Sequence, residues 1–329
     1  MSTPNSLHAL LRSTLVWDNH GCMPLRTDTS FLPQLERYRR SGVSVVSLNI
    51  GYGTMPWHEH LKVLSSMRQW IAQRPESYCL VATVEDVKRA RADGKLGIVF
   101  DIEGMVPMQD DPNLMQTFYE LGVRWMLIAY NRNNKAGAGC LDEDTGLTDT
   151  GRAILDEMQR VGMVLCLSHA GRRTVAEALE YARGPVIFSH SNPFGDHEHP
   201  RNVPDELIRA CAERGGVFGL SGVGSFLGTH THVVERFLRQ LRYVIDLVGP
   251  EHVGISLDYV FDLSEMEAHV QAHPELYAPG TRTGAARGAV APEAISEIAE
   301  ALAADNLTDD QIRAILGENW LRIATQVWR

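Results

Sequence analysis

Short apolar runs alternate with longer amphipathic stretches along this chain, and glycine recurs just past the amphipathic ones, as at Gly94 and Gly162. That rhythm is the pattern of βα units, because a strand covered on both faces reads as a near-continuous apolar run. The helix that follows it ends where glycine can turn left-handed without a Cβ penalty. Eight such strands are predicted: Thr14–Asp18, Val43–Asn49, Gly97–Ile102, Val123–Ala129, Met163–Ser168, Pro185–Ser189, Gly216–Ser221 and Val253–Leu257. Helical spacing of apolar residues predicts helices over Val84–Ala92, Leu147–Val161, Glu206–Glu213 and Val233–Val248. Thr83 and Asp86 are placed to cap the first of these. Eight βα units predict an α/β chain folded as a (β/α)8 TIM barrel.

Only the segment 262–291 breaks the rhythm, with Pro274, Pro279, Gly280, Gly284 and Gly288. Following the eighth strand, it would lie over the mouth of a barrel, either as a lid or as a surface excursion. From Pro292 to Arg329 the pattern predicts two closing helices, the first turn of one capped by Thr308. The 329 residues therefore read as one barrel domain with a helical extension over about 292–329.

Bulk properties narrow the function classes. With 44% hydrophobic residues a large core is expected, and a net charge of −10 without a basic stripe argues against nucleic-acid binding. Arg37–Arg40 reads as a solvated helix face. No run approaches the roughly 18 apolar residues of a membrane span. Five scattered cysteines without a CxxC argue against a disulfide framework, and no leader pattern opens the sequence. A cytoplasmic protein is the expectation.

In barrels of this kind the chemistry gathers at the C-terminal ends of the strands. Here those ends carry Asp18-Asn19-His20-Gly21-Cys22, Asp101-Ile102-Glu103, Tyr130-Asn131, Ser168-His169, Ser189-His190 and Asp258. His20, Glu103, His169, His190 and Asp258 thus share one rim, and imidazole and carboxylate are the ligands of hydrolytic zinc sites. A divalent metal makes water acidic enough to act near neutral pH, lowering its pKa from ~15.7 to about 7. A free carboxylate such as Asp258 is placed to move the proton. Neither Ser168 nor Ser189 lies in a G-x-S-x-G elbow, which argues against a serine nucleophile. His197, His199, His58, His60, His230 and His232 stay unassigned, with His197 and His199 on a loop that either shapes the pocket or is surface.

At these residues the chain resembles the membrane (renal) dipeptidase family, of the amidohydrolase type. The similarity runs from about Trp17 to Ile323, through Phe100-Asp101-Ile102-Glu103-Gly104, Leu167-Ser168-His169, Phe188-Ser189-His190-Ser191-Asn192, His199-Pro200-Arg201-Asn202 and Gly317-Glu318-Asn319-Trp320. The resemblance implies a binuclear zinc site, with Glu103 bridging, His20 on the first ion, and His169 and His190 on the second. It implies Asp258 as the catalytic acid/base, Arg201 as the grip on a substrate carboxylate, a dipeptide-like small-molecule substrate, and a homodimer.

Two positions depart from the family pattern. His20-Gly21-Cys22 stands where the family has His-x-Asp, so Cys22 is either a thiolate ligand or a bystander, and the site holds one Zn2+ or two. Tyr130 stands where the family has a histidine that polarises the substrate carbonyl; Tyr130 and Asn131 are accordingly expected to face the substrate, with Arg132, Asn133 and Asn134 further candidates for a polar group. Asp18 and Asn19 are candidate substitute oxygens. The expected activity is zinc-dependent cleavage of a dipeptide or similar small amide. The alternatives are a single-metal amidohydrolase acting on an N-acyl amino acid or lactam, and a non-catalytic barrel that binds a small carboxylate.

Overall fold

The computed structural model describes residues 10–11, 13–108 and 111–329; the opening residues, where a leader was sought, lie outside them. Among the described residues ten parallel strands form one sheet: β1 (Trp17–Cys22), β2 (Val45–Tyr52), β3 (Tyr78–Leu80), β4 (Leu96–Glu103), β5 (Val123–Leu127), β6 (Val164–Cys166), β7 (Ile187–Ser191), β8 (Val217–Leu220), β9 (Val253–Ile255) and β10 (Tyr259–Val260). The order is β10-β1-β2-β4-β5-β6-β7-β8-β9. Since β10 continues the chain from β9 and pairs with β1 at Gly21–Tyr259 and Cys22–Val260, the sheet closes on itself. Asp258 N–H donates to the His20 carbonyl at 2.9 Å across the seam, and Asp18 Oδ1 accepts from Leu257 N–H at 2.8 Å. The expected α/β barrel is the observed fold.

Strand alternation builds two cores. Val45, Val99, Trp125, Leu127, Val164, Cys166, Ile187 and Val217 meet inside the barrel. Their neighbours Val46, Ile98, Phe100, Met126, Leu165 and Phe188 face the surrounding helices. The inward column on each strand runs from apolar to polar. On β2 it passes Val45, Ser47 and Asn49, and on β4 Val99, Asp101 and Glu103. The middle of the barrel is a hydrogen-bonded layer, with Trp17 Nε1 on Ser47 Oγ at 3.2 Å, Ser47 Oγ on Asn19 Oδ1 at 2.8 Å and Cys166 Sγ on Ser189 Oγ at 3.0 Å. An apolar base and a polar top are what this fold needs to hold ionisable groups at one end only.

The base is plugged by the C-terminal helix Asn319–Val327. Trp320 joins the inner cluster with Ile323 and Ala324, and its indole N–H donates to the Ile255 carbonyl at 3.2 Å. Gly254 is required beneath it, since a Cβ there would lie 2.5 Å from the indole.

Helices fall close to their predicted places: Val84–Ala92 with its Thr83–Asp86 capping box, Asp149–Val161 ending at left-handed Gly162, Asp205–Glu213 and Val233–Val248. Thr308 caps Asp309–Arg313 as expected. Arg37, Arg39 and Arg40 pair with Glu293 and Glu36 on the surface. The first strand is a correction. It begins at Trp17 and runs through His20 to Cys22, three or four residues later than predicted, because pairing with β2 starts at Trp17–Val45. The side strand β3 was not predicted; it pairs with the lower half of β4 only, at Leu96–Ile98.

The candidate active site

The strand ends bring the predicted rim together. Glu103 Oε1 lies 3.1 Å from His190 Nε2, 3.5 Å from His169 Nε2 and 3.5 Å from His20 Nε2. The His169 and His190 Nε2 atoms are 2.8 Å apart, and the His20 and His190 rings stack with centroids 4.0 Å apart. Among the described residues, two overlapping groups have the geometry to hold a metal ion: His20, Glu103 and His190, and His20, Cys22 and Asp258. Cys22 Sγ lies 3.5 Å from both His20 Nε2 and Asp258 Oδ1.

Each imidazole is held from behind. His169 Nδ1 faces Asn131 Oδ1 at 2.7 Å, His20 Nδ1 faces Asp101 Oδ2 at 3.4 Å, and His190 Nδ1 faces Ser189 Oγ at 2.8 Å. An acceptor on Nδ1 keeps the proton there and leaves the Nε2 lone pair for a metal. Asn49 holds Glu103 in the same way, donating to Oε2 at 2.7 Å and leaving Oε1 to the histidines. Asn49 was not singled out from sequence, and Asp101 and Ser189 were read only as neighbours of the ligand residues; the signal for all three is the inward column of the strand. Asn131 was expected to face the substrate, yet both ends of its amide are engaged, with Nδ2 donating to the Leu276 carbonyl at 2.8 Å. Asp18 is the seam latch described above and Asn19 is bonded to Ser47, so neither joins the ligand cluster.

Backbone strain gathers here. Asn131, His169 and Asp258 have positive φ of 58°, 66° and 54°. Such conformations cost a non-glycine residue about 1 kcal/mol or more and persist where surrounding structure enforces them.

The electrostatics fit a cation. Burial pushes the carboxyls of Glu103 up to about 8 and Asp101 up to about 6, and the Cys22 thiol up to about 12. Burial likewise pulls His169 and His190 well below the ordinary imidazole value, with Arg201 adding to it, so both are neutral lone-pair donors. His20 is opposed by burial, but Cys22, Asp101 and Glu103 outweigh it and raise it. A carboxyl and a thiol that burial holds protonated, beside the neutral imidazoles of His169 and His190, make a donor set whose deprotonated form a divalent ion would stabilise.

The cluster floors a cleft walled by Tyr52, Tyr130, Phe226, Met266 and Tyr277, with Arg201 and Asp258 reaching into it. Tyr130 stacks on His169 with centroids 4.5 Å apart. The Arg201 guanidinium is buried and donates to the His190 carbonyl at 2.9 Å; among the described residues it has no carboxylate partner. His199 lines the cleft, its Nδ1 accepting from Arg201 N–H at 3.1 Å. Arg132 and Asn133 instead bind Asp142, and Asn134 bonds the Ile128 carbonyl. The segment 262–291 does lie over the mouth and supplies Met266, His269, Tyr277, Arg282 and Arg287 to the wall. Elsewhere, His58 is exposed, His197 packs on Gly228 and His230 bonds the Arg287 carbonyl. No helix among the described residues is long and apolar enough to cross a membrane.

The chain is similar to known dipeptidases and amidohydrolases. The chain is 31% identical over 183 residues to the dipeptidase verJ of Clonostachys rogersoniana, covering 55% of this chain and 47% of that protein. It is 27% identical over 245 residues to an uncharacterised dipeptidase of Schizosaccharomyces pombe, C965.12, covering 71% and 53%. The chain thus spans about half the length of the curated relatives it matches. Among solved structures, an amidohydrolase from Pseudomonas aeruginosa superposes with a TM-score of 0.89 at 24% identity, over 98% of this chain and 99% of that one. A metallopeptidase from Rhodobacter sphaeroides, solved with a phosphinate mimic of the dipeptide L-Ala-D-Ala, gives 0.78 at 20% identity, over 96% and 100%. The model of the membrane dipeptidase family (peptidase family M19) matches residues 8–291, and the chain belongs to that family.

Proposed function

We propose that this protein is a zinc-dependent hydrolase of the amide bond in a dipeptide or a similar small carboxylate-bearing amide. The observation that carries the reading is the convergence of three imidazole Nε2 atoms on one oxygen of Glu103. Glu103, His169 and His190 would hold one ion, and His20, Cys22 and Glu103 a second. What a divalent cation supplies at such a site is acidity, bringing the pKa of water from ~15.7 to about 7.

The chain's own groups do the rest. Arg201 takes the substrate carboxylate, two parallel N–H bonds fixing its orientation. Asp258 accepts the proton of the attacking water and returns it to the leaving amine nitrogen. Ser221 Oγ, 3.3 Å from Asp258 Oδ2, holds the carboxylate while Oδ1 faces the cluster. The Tyr130 hydroxyl donates to the carbonyl oxygen as charge builds on it. Phe226, Met266 and Leu25 line an apolar wall that limits bulk water. Five unpaired cysteines suit a reducing compartment, so the reading puts the enzyme in the cytoplasm; the homodimer rests on the family resemblance alone.

One observation favours a second reading with a single ion. Cys22 stands where the resemblance implies a carboxylate, and a softer thiol gives the second ion a donor set of different charge and geometry. A one-ion site at Glu103, His169 and His190 would suit an N-acyl amino acid or a lactam.

The test is hydrolysis of L-Ala-D-Ala, L-Ala-L-Ala, N-acetylalanine and a lactam by zinc-loaded and chelator-stripped protein. Cleavage of a dipeptide, lost on stripping and regained with zinc, is expected, with Asp258→Asn lower by about 10²–10⁴. Cleavage of N-acetylalanine or the lactam alone would select the second reading. Absence of cleavage across the zinc-loaded panel would overturn both.

A further inference from the structure

The cleft holds a second buried arginine that no step of the mechanism uses. Arg287 is 7% exposed, lines the cleft with Arg201 and Tyr277, and has its Nη1 buried without a partner. Among the described residues its guanidinium makes no hydrogen bond or ion pair. The acids that share the cleft are engaged elsewhere. Asp262 and Glu265 pair with Arg26, Glu103 faces Asn49 and the histidines, and Asp258 faces Ser221 and Cys22.

Its backbone is pinned on both sides. Gly224 N–H donates to the Gly288 carbonyl at 3.0 Å, Val290 N–H donates to the Gly222 carbonyl at 2.9 Å, and the Arg287 carbonyl faces His230 Nδ1 at 2.7 Å. Val223 and Ala289 form an antiparallel bridge. The guanidinium is therefore presented from a fixed frame. A buried charge with no counter-charge is costly, and a bound anion removes that cost.

We infer that Arg287 is a second anion subsite and that the preferred substrate carries two carboxylates, one on Arg201 and a side-chain carboxylate on Arg287. The substrate class is a dipeptide containing aspartate or glutamate. The reaction in this inference rests on the proposed function, but the binding does not. Neutralising Arg287 removes a charge-assisted bidentate contact, which is worth about tenfold or more in discrimination.

Two experiments separate the claims. Calorimetric titration of the zinc-loaded protein with glutarate and with its monoamide, glutaramate, is expected to show glutarate binding about tenfold tighter. That ratio should collapse in Arg287→Met and return in part in Arg287→Lys. Kinetically, the kcat/KM ratio of L-Ala-D-Glu to L-Ala-D-Gln, or of L-Glu-D-Ala to L-Gln-D-Ala, should be about ten or more in the wild type and fall towards one in Arg287→Met. Equal binding of glutarate and glutaramate by the wild type would overturn the inference, as would ratios that Arg287→Met leaves unmoved. If no dipeptide is cleaved, the proposed reaction fails while the titration still decides the subsite. Should Arg287→Met fail to fold, the wild-type ratios and Arg287→Lys decide it.

Discussion

Asn49 donates to Glu103 Oε2 at 2.7 Å, and so turns the other carboxylate oxygen toward three histidines. Asn49 also accepts from Gly51 N–H at 2.6 Å, which fixes the amide flip. Replacing it with leucine should free Glu103 to rotate and weaken metal binding by about 10–100-fold, the usual cost of losing a group behind a ligand. Competition for zinc with a chromogenic chelator would measure this; unchanged affinity would mean that Asn49 only fills space.

Tyr130 stacks on His169 with ring centroids 4.5 Å apart. If its hydroxyl meets the developing oxyanion, Tyr130→Phe should lower kcat and kcat/KM together by about 10²–10³. A change in KM alone would make Tyr130 a wall of the cleft.

The barrel base depends on Trp320, whose ring packs over Gly254 and whose N–H reaches the Ile255 carbonyl. Trp320→Ala removes a buried aromatic and should cost about 3–5 kcal/mol. Urea unfolding would show it as a lower midpoint; a loss below about 1 kcal/mol would mean the helix does not plug the barrel.

His60 gives a pH signature away from the site. It is fully buried in the helix Trp57–Ala72, and burial pulls its pKa down to about 4. Below the ordinary value of 6.5 the unfolded chain takes up a proton that the folded chain refuses. Its contribution to stability is therefore full above pH 6.5 and is lost as the pH falls toward 4, a total of about 3 kcal/mol. Urea midpoints between pH 7 and pH 4 should fall less steeply in His60→Asn than in the wild type. Parallel slopes would contradict the assignment.

The barrel was legible because strands such as Leu96–Glu103, buried on both faces, write themselves as apolar runs. The rim was legible because titratable residues follow those runs at matching places. His20 was harder to place. It lies inside β1, but a polar strand residue aimed into a site looks like the start of a loop, and the predicted strand stopped short of it. β3 has three residues, two of them half-buried, too few to show a period. Asp101 was read as part of a motif and not as the group behind His20, since that role needs the register of β1 against β4 across β2. Arg287 and Tyr277 sit in a segment rich in proline and glycine, whose composition says loop and whose placement is set by contacts with residues 222–230 and Asn131.

The central claim is that the strand-end cluster binds metal, and metal content per chain tests it most directly. Protein purified without chelator would be measured by plasma mass spectrometry, as wild type, Cys22→Ala and Glu103→Ala. Zinc is expected at two ions per chain in the wild type, close to one in Cys22→Ala, and little in Glu103→Ala, which removes the carboxylate that both proposed ligand sets would share. One ion in both wild type and Cys22→Ala would select the single-ion reading. No metal in the wild type, even after loading with zinc, would contradict the account.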